Sequence, residues 1–69
     1  MKGWQKVYTT DQSYRADIVK AVLEDRGMIP VIINKQDSSY HNFGQHEVHV
    51  ASEDVLGALK IIENDINFK

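Results

Sequence analysis

The residues best suited to chemistry lie in one polar run near the middle of the chain. It holds hydroxyl, carboxamide, carboxylate and imidazole groups, on Asn34, Lys35, Gln36, Asp37, Ser38, Ser39, Tyr40, His41, Asn42, Phe43, Gly44, Gln45 and His46. Serine hydroxyls and exposed turn amides bind anions, and a tyrosine adds a hydroxyl on an apolar ring. The segment from Asp37 to Tyr40 is therefore a candidate ligand cradle. The alternative is that the Asp and Ser side chains bond the neighbouring backbone and only stabilise their own turn.

This run separates two apolar segments that read as β-strands, Pro30–Ile33 and Glu47–Val50. A hairpin connection usually needs about two to five residues, and a longer one costs chain entropy. Such a connection is usually either functional or disordered, so we predict that it contacts a ligand or a protein partner. The predicted contact residues are Asn34, Lys35, Gln36, Asp37, Ser38, Ser39, Tyr40, Phe43 and Gly44. Alternatively, Phe43 and Tyr40 only plug the connection onto the edge of the core, and Gly44 only returns the chain to the sheet.

Three histidines, His41, His46 and His49, suggest a metal site, but their spacing matches no metal motif. On a strand, His46 and His49 would point to opposite faces. His49 is instead expected to pair with Glu47 on one face of the sheet. Ser38 and His41 are near in sequence, yet nucleophilic catalysis needs a base within hydrogen-bond reach and a third, orienting group. We expect no metal, no cofactor and no enzymatic activity.

The spacing of apolar residues predicts the strands and helices that position these side chains. Trp4–Thr9 reads as a first strand with Val7 in the core. A helix is predicted from the apolar positions Ala16, Ile18, Val19, Val22 and Leu23, ending at Gly27 ahead of Pro30. A second helix, capped by Ser52, has a predicted apolar face of Val55, Leu56, Ala58, Leu59 and Ile62. Ile66 and Phe68 fit either a short fourth strand or a helix end.

The resulting order, β-α-β-β-α with an optional last strand, is typical of the α+β ferredoxin-like fold. That fold has an antiparallel sheet with both helices on one face and leaves the other face open. Strand alternation assigns six residues to the open face: Trp4, Lys6, Tyr8, Ile32, Glu47 and His49. A short chain gains stability by burying such a face, so we predict a homo-oligomer, with a dimer favoured. The alternative is that the face stays solvated.

Size and composition limit the classes of protein. The chain has 69 residues, which is enough for one domain, residues 1–69, and it has no cysteine for a disulfide or a thiolate metal site. A net charge of −2 argues against nucleic-acid binding, which needs clustered positive charge. No apolar run is long enough for a membrane span, and residues 1–6 lack the apolar region of a secretory signal. We expect a cytoplasmic protein whose partner is an unknown small molecule or protein.

The run Asn34–Tyr40, followed by Phe43-Gly44 and then Glu47–Val50, resembles a small bacterial family of unknown function. That family is labelled a putative prokaryotic signal transducing protein, and the helix-turn-strand through Pro30 is similar to it as well. The resemblance covers roughly Trp4–Ile62. It implies a PII-like, ferredoxin-like fold, because the family is similar in fold to the nitrogen-regulatory PII signal proteins, which carry a long loop between strands two and three. It does not carry over PII activity, since this loop is shorter and lacks a basic phosphate-binding cluster.

These observations predict a small binding or signalling module that uses the loop between strands two and three to contact a ligand or protein partner. The alternative is a structural or interaction protein that acts through homo-oligomerisation of the open sheet face.

Overall fold

Three antiparallel strands and two helices build the protein, as seen in a computed structural model that describes residues 3–35 and 45–66. The elements are β1 (Trp4–Thr10), α1 (Ser13–Asp25), β2 (Val31–Lys35), β3 (Gln45–Ala51) and α2 (Val55–Asp65), with a 3-10 turn at Ser52–Asp54. The sheet order is β1-β3-β2, and β3 runs antiparallel to both neighbours. β1 and β2 are therefore parallel and joined through α1, which is compatible with the predicted ferredoxin-like arrangement. The α+β fold class is confirmed.

The core lies between the sheet and the two helices. Its buried residues come from four elements: Val7, Ala16, Val19, Leu23, Val48, Val50 and Ala58. Val48 and Val50 are two apart on β3, so they share one face of the sheet, and both helices pack on that face. The opposite face carries Glu47 and His49, and no helix of the described residues covers it.

Helix α1 buries Ala16, Val19 and Leu23, at the spacing that the sequence predicts. Its end at Gly27 is also confirmed. The Gly27 N–H donates to the Glu24 carbonyl at 3.0 Å and the Met28 N–H to the Leu23 carbonyl at 3.1 Å. These two bonds form a Schellman motif, which needs a residue with positive φ, and Gly27 has φ +88°.

Helix α2 is rotated relative to the predicted apolar face. Ala58 is fully buried, and Val55, Ile61 and Ile62 pack against the core. Leu56 is 83% exposed and Leu59 is also exposed, so the prediction that they face the core was wrong. Because apolar residues occur almost all round this helix, its hydrophobic pattern cannot identify the buried side; packing against β1 and β3 decides it.

A β-bulge in β1 changes which residues face the core. The register pairs Lys6 with His49 and Tyr8 with Val48, so Val7 is the extra residue. Val7 and Tyr8 consequently both reach the core, and Thr9 pairs with Glu47 on the open face. Strict alternation placed Tyr8 on the open face, and that prediction was wrong because the bulge reverses the alternation beyond Lys6.

Ile32 was also predicted to lie on the open face. It pairs with Val48, which is fully buried, and it packs against the core. Directly paired residues share a face, so Ile32 lies on the helix-covered side. The apolar triple Val31-Ile32-Ile33 has no alternation of its own, and only its pairing with β3 shows that Val31 and Ile33 are the open-face residues.

The predicted fourth strand falls mostly outside the described residues. Ile66 is half-buried, packs against the core and is not in a strand. Residues 67–69, which include Phe68, lie beyond the described part of the chain.

Candidate functional site

The connection between β2 and β3 is shorter than the apolar pattern suggested. β2 continues to Lys35 and β3 is described from Gln45 onwards, so the connection has at most nine residues, 36–44, which lie outside the described part of the chain. The added rows pair Asn34 with His46 and Lys35 with Gln45. Polar residues can extend a hairpin ladder because the bonds are between backbone groups. Seven predicted contact residues lie outside the described part of the chain: Gln36, Asp37, Ser38, Ser39, Tyr40, Phe43 and Gly44.

A side-chain hydrogen bond joins the two strands where this connection leaves the sheet. The His46 Nδ1–H donates to Asn34 Oδ1 at 2.6 Å. Thr10 pairs with His46 on the other side, so the row Thr10–His46–Asn34 crosses all three strands. The two ends of this connection are thereby held at a fixed separation by the sheet.

The open face carries a charged cluster of Lys6, Glu47 and His49. The His49 Nε2–H donates to Glu47 Oε1 at 3.0 Å, and Lys6 Nζ lies 3.8 Å from Glu47 Oε2. Glu47 is only 6% exposed, since β3 is the central strand and Glu47 lies between Thr9 and Ile33 in its row. The predicted pairing of Glu47 with His49 is confirmed, as is the placement of His46 and His49 on opposite faces.

Four of the six residues predicted for the open face lie there: Trp4, Lys6, Glu47 and His49. Trp4 pairs with Ala51 at the far end of β3 and is half-buried. Sequence reasoning missed Val31 and Ile33, which the register adds to this face beside His49 and Glu47. Whether the face forms an oligomer interface stays a prediction.

The chain is similar in sequence to one known family of proteins. The sequence profile of one family, described as a putative prokaryotic signal transducing protein, matches residues 4–65. The chain belongs to this family. No curated protein and no solved structure matches the chain significantly. The match covers all five helices and strands of the described residues and both ends of the β2–β3 connection.

Within residues 3–35 and 45–66, no three His, Cys, Asp or Glu side chains come together closely enough to hold a metal ion. In the same residues, neither helix has the length and apolar character that a bilayer span requires. Glu47 and His49 form a hydrogen-bonded pair on the open face.

A shallow groove of about 380 Å³ lies on the helix side of the molecule. It is lined by Arg26, Gly57, Lys60, Ile61, Asn64 and Asp65. Arg26 forms an ion pair with Asp65 across the groove, which neutralises both charges. The groove adjoins the end of α1, whereas the β2–β3 connection leaves from the opposite end of β2. None of the groove's lining residues is among the predicted contact residues.

Proposed function

We propose that the chain is a small, non-enzymatic binding module of cytoplasmic signal transduction that contacts a ligand or protein partner through the β2–β3 connection. One observation carries the proposal. The described pairing of β2 with β3 reaches Lys35 and Gln45, and the sequence between them, residues 36–44, is rich in polar side chains and longer than a hairpin connection needs, which is about two to five residues.

The chemistry of this connection supports binding. Its residues supply two serine hydroxyls, a carboxylate, carboxamides and two aromatic rings. The Asn34–His46 bond and the paired backbone beneath it provide a rigid base, and binding loops act best when a rigid scaffold positions them. The family description, a signal transducing protein, supports a role in recognition.

Thermal unfolding of the purified protein tests the proposal and identifies the class of ligand. The probes are nucleotides, amino acids, organic acids and divalent metal ions, each added separately. A ligand present at about 100 times its Kd adds about 2.7 kcal/mol to the free energy of unfolding. For a domain of this size we expect the unfolding temperature to rise by roughly 10 °C or more.

A triple variant in the connection, Asp37→Ala with Ser38→Ala and Tyr40→Ala, should lose this shift and keep the fold. The matched control changes the same residue types at exposed positions elsewhere: Tyr14→Ala with Asp25→Ala and Ser52→Ala. The control should keep the shift. A triple variant that unfolds would show that the connection is structural. If no ligand of the panel raises the unfolding temperature, the next experiment is a pulldown of protein partners with the intact chain as bait.

The second candidate function is an interaction protein that acts by homo-oligomerisation of the open sheet face. The partnered Glu47 favours it, because a carboxylate that already accepts a hydrogen bond from His49 and lies 3.8 Å from Lys6 Nζ can enter an interface at a lower desolvation cost. Trp4→Glu should then give monomers. Tyr8 is unsuitable for this test because its side chain packs against the core, so a charge there would unfold the protein.

A further inference from the structure

The two outer edges of the sheet are protected differently. β1 carries a bulge at Val7, and its open-face residue in the His49 row is Lys6. β2 pairs with β3 in one unbroken register and has no charged residue from Val31 to Asn34. Bulges and lysines are the devices by which natural sheets prevent edge-to-edge pairing. Among the described residues, β2 has a strand neighbour only on its β3 side and has no bulge. Its one lysine, Lys35, is its last residue and Pro30 precedes the strand, so the middle of the strand, Val31–Asn34, carries neither device.

An exposed apolar stripe runs beside this edge. Ile29 is 77% exposed and Val31 is 36% exposed, and Ile33 follows two residues later on the same side. Pro30 is buried and Ile32 packs against the core, so the chain alternates regularly from Ile29 to Ile33. The stripe therefore lies on the open face along the outermost strand, where a strand added to β2 would cover it.

The sequence of β2 is self-complementary in one antiparallel register. When two copies pair about a twofold axis at Ile32, Val31 of each copy lies opposite Ile33 of the other, and Ile32 lies opposite its own counterpart. All three central rows are then pairs of β-branched residues, which favour cross-strand packing. Pro30 lies opposite Asn34 near the ends of the ladder, where a residue without an N–H is tolerated. Lys35, the last residue of β2, lies opposite Ile29.

We propose that the β2 edge is a homodimer interface, in which two copies pair β2 with β2 antiparallel about Ile32 and form one six-stranded sheet. A symmetric interface of this kind uses the same surface on both copies. A 69-residue chain also has much to gain from association, because so small a domain buries a small share of its surface. The interface is independent of the proposed binding function: antiparallel pairing places the two β2–β3 connections at opposite ends of the joined sheet.

Light scattering with size-exclusion chromatography tests the interface. The wild type should have twice the 7.9 kDa chain mass. Ile33→Lys should halve the measured mass by placing a charge at the paired edge. Thr9→Lys is the matched control, because Thr9 and Ile33 flank Glu47 in the same open-face row on opposite strands. The control should remain dimeric. A monomeric wild type at millimolar concentration overturns the proposal. A monomeric Thr9→Lys variant also overturns it, because that result would indicate that the copies associate through their open sheet faces.

A disulfide test covers the case in which Ile33→Lys fails to fold. The chain has no cysteine, so an engineered pair is the only source of a cross-link. The variant carrying both Val31→Cys and Ile33→Cys should form a covalent dimer on oxidation, because directly opposed residues have Cα atoms at disulfide distance. Each single variant should give little covalent dimer. Absence of the cross-link in a double variant that is still dimeric would overturn the β2 pairing.

Discussion

Among the described residues, Glu47 is a charged residue that is almost fully buried. Its carboxylate accepts a bond from His49 and lies near Lys6, while only 6% of the residue is exposed. A carboxylate with so little access to water depends on these partners, because a buried charge without them is costly. Lys6 is half-exposed, so its share of the stabilisation is screened by solvent and the His49 bond contributes more.

Replacing this charge should be measurable. Glu47→Gln is expected to lower the free energy of unfolding by about 1.5–3 kcal/mol, the range for a hydrogen bond to a charged group. Urea unfolding followed by circular dichroism measures it. Glu63→Gln, at an exposed position in α2, is the control and should change stability by less than about 0.5 kcal/mol. Equal stabilities of the two variants would show that the cluster contributes nothing to the fold.

A substitution of Leu23 tests the assignment of the hydrophobic core. It is fully buried and is the largest of the fully buried side chains. Leu23→Ala should cost about 2–5 kcal/mol, through lost burial and the cavity left behind. A 69-residue domain has a total stability of roughly 3.5–10 kcal/mol, so this variant should be close to unfolding. Ile18→Ala, at an exposed position of the same helix, should melt near the wild-type temperature; similar losses for both would contradict the assignment of the core.

At the scale of elements, two glycines have opposite roles. Gly27 ends α1 with φ +88°, a conformation that alanine adopts only at a cost. Gly57 lies inside α2, where a Cβ would approach the Met28 Cε at 3.1 Å, the flexible end of a side chain that can move aside. Glycine inside a helix is less stable than alanine by about 0.5–1 kcal/mol.

We therefore expect Gly57→Ala to raise the unfolding temperature by several degrees and Gly27→Ala to lower it by a similar amount. Differential scanning calorimetry of the two variants beside the wild type measures both. A Gly57→Ala variant less stable than the wild type would mean that the Met28 methyl group cannot move away.

The elements also show what the sequence could predict. The 3.6-residue period of α1 and the alternation of Glu47–Val50 identified those elements and their buried sides, because each has a polar face opposite an apolar one. The bulge at Val7 and the buried side of α2 were not predictable, since both depend on pairing and packing with distant elements. The extension of β2 to Lys35 was missed because backbone pairing leaves no apolar signal. At the candidate site, the sequence predicted the polar connection and the Glu47–His49 pair. The position of Val31 and Ile33 on the open face could be recognised only from the register of β2 with β3.

For the whole molecule, association and stability should be coupled. If two copies share the β2 edge, the folded dimer is favoured by mass action and the unfolding temperature rises with protein concentration. Each tenfold increase is worth about 1.4 kcal/mol per dimer, which corresponds to roughly 3–6 °C for a chain of this size. Melting curves over a hundredfold range of concentration check this. Ile33→Lys should melt at one temperature throughout that range, and a wild type that does the same would contradict the dimer.

The placement of β3 between β1 and β2 has a consequence for how the chain is made. β1 and β2 are the first two strands to be synthesised, yet within the described residues they do not pair with each other, and both pair with β3. A nascent chain that ends at Lys35 therefore holds two strands and a helix with no sheet to join them. Domains generally fold as units during synthesis. In this protein β3 must leave the ribosome before β1 or β2 can pair with it. The three-stranded sheet can therefore form only late in synthesis.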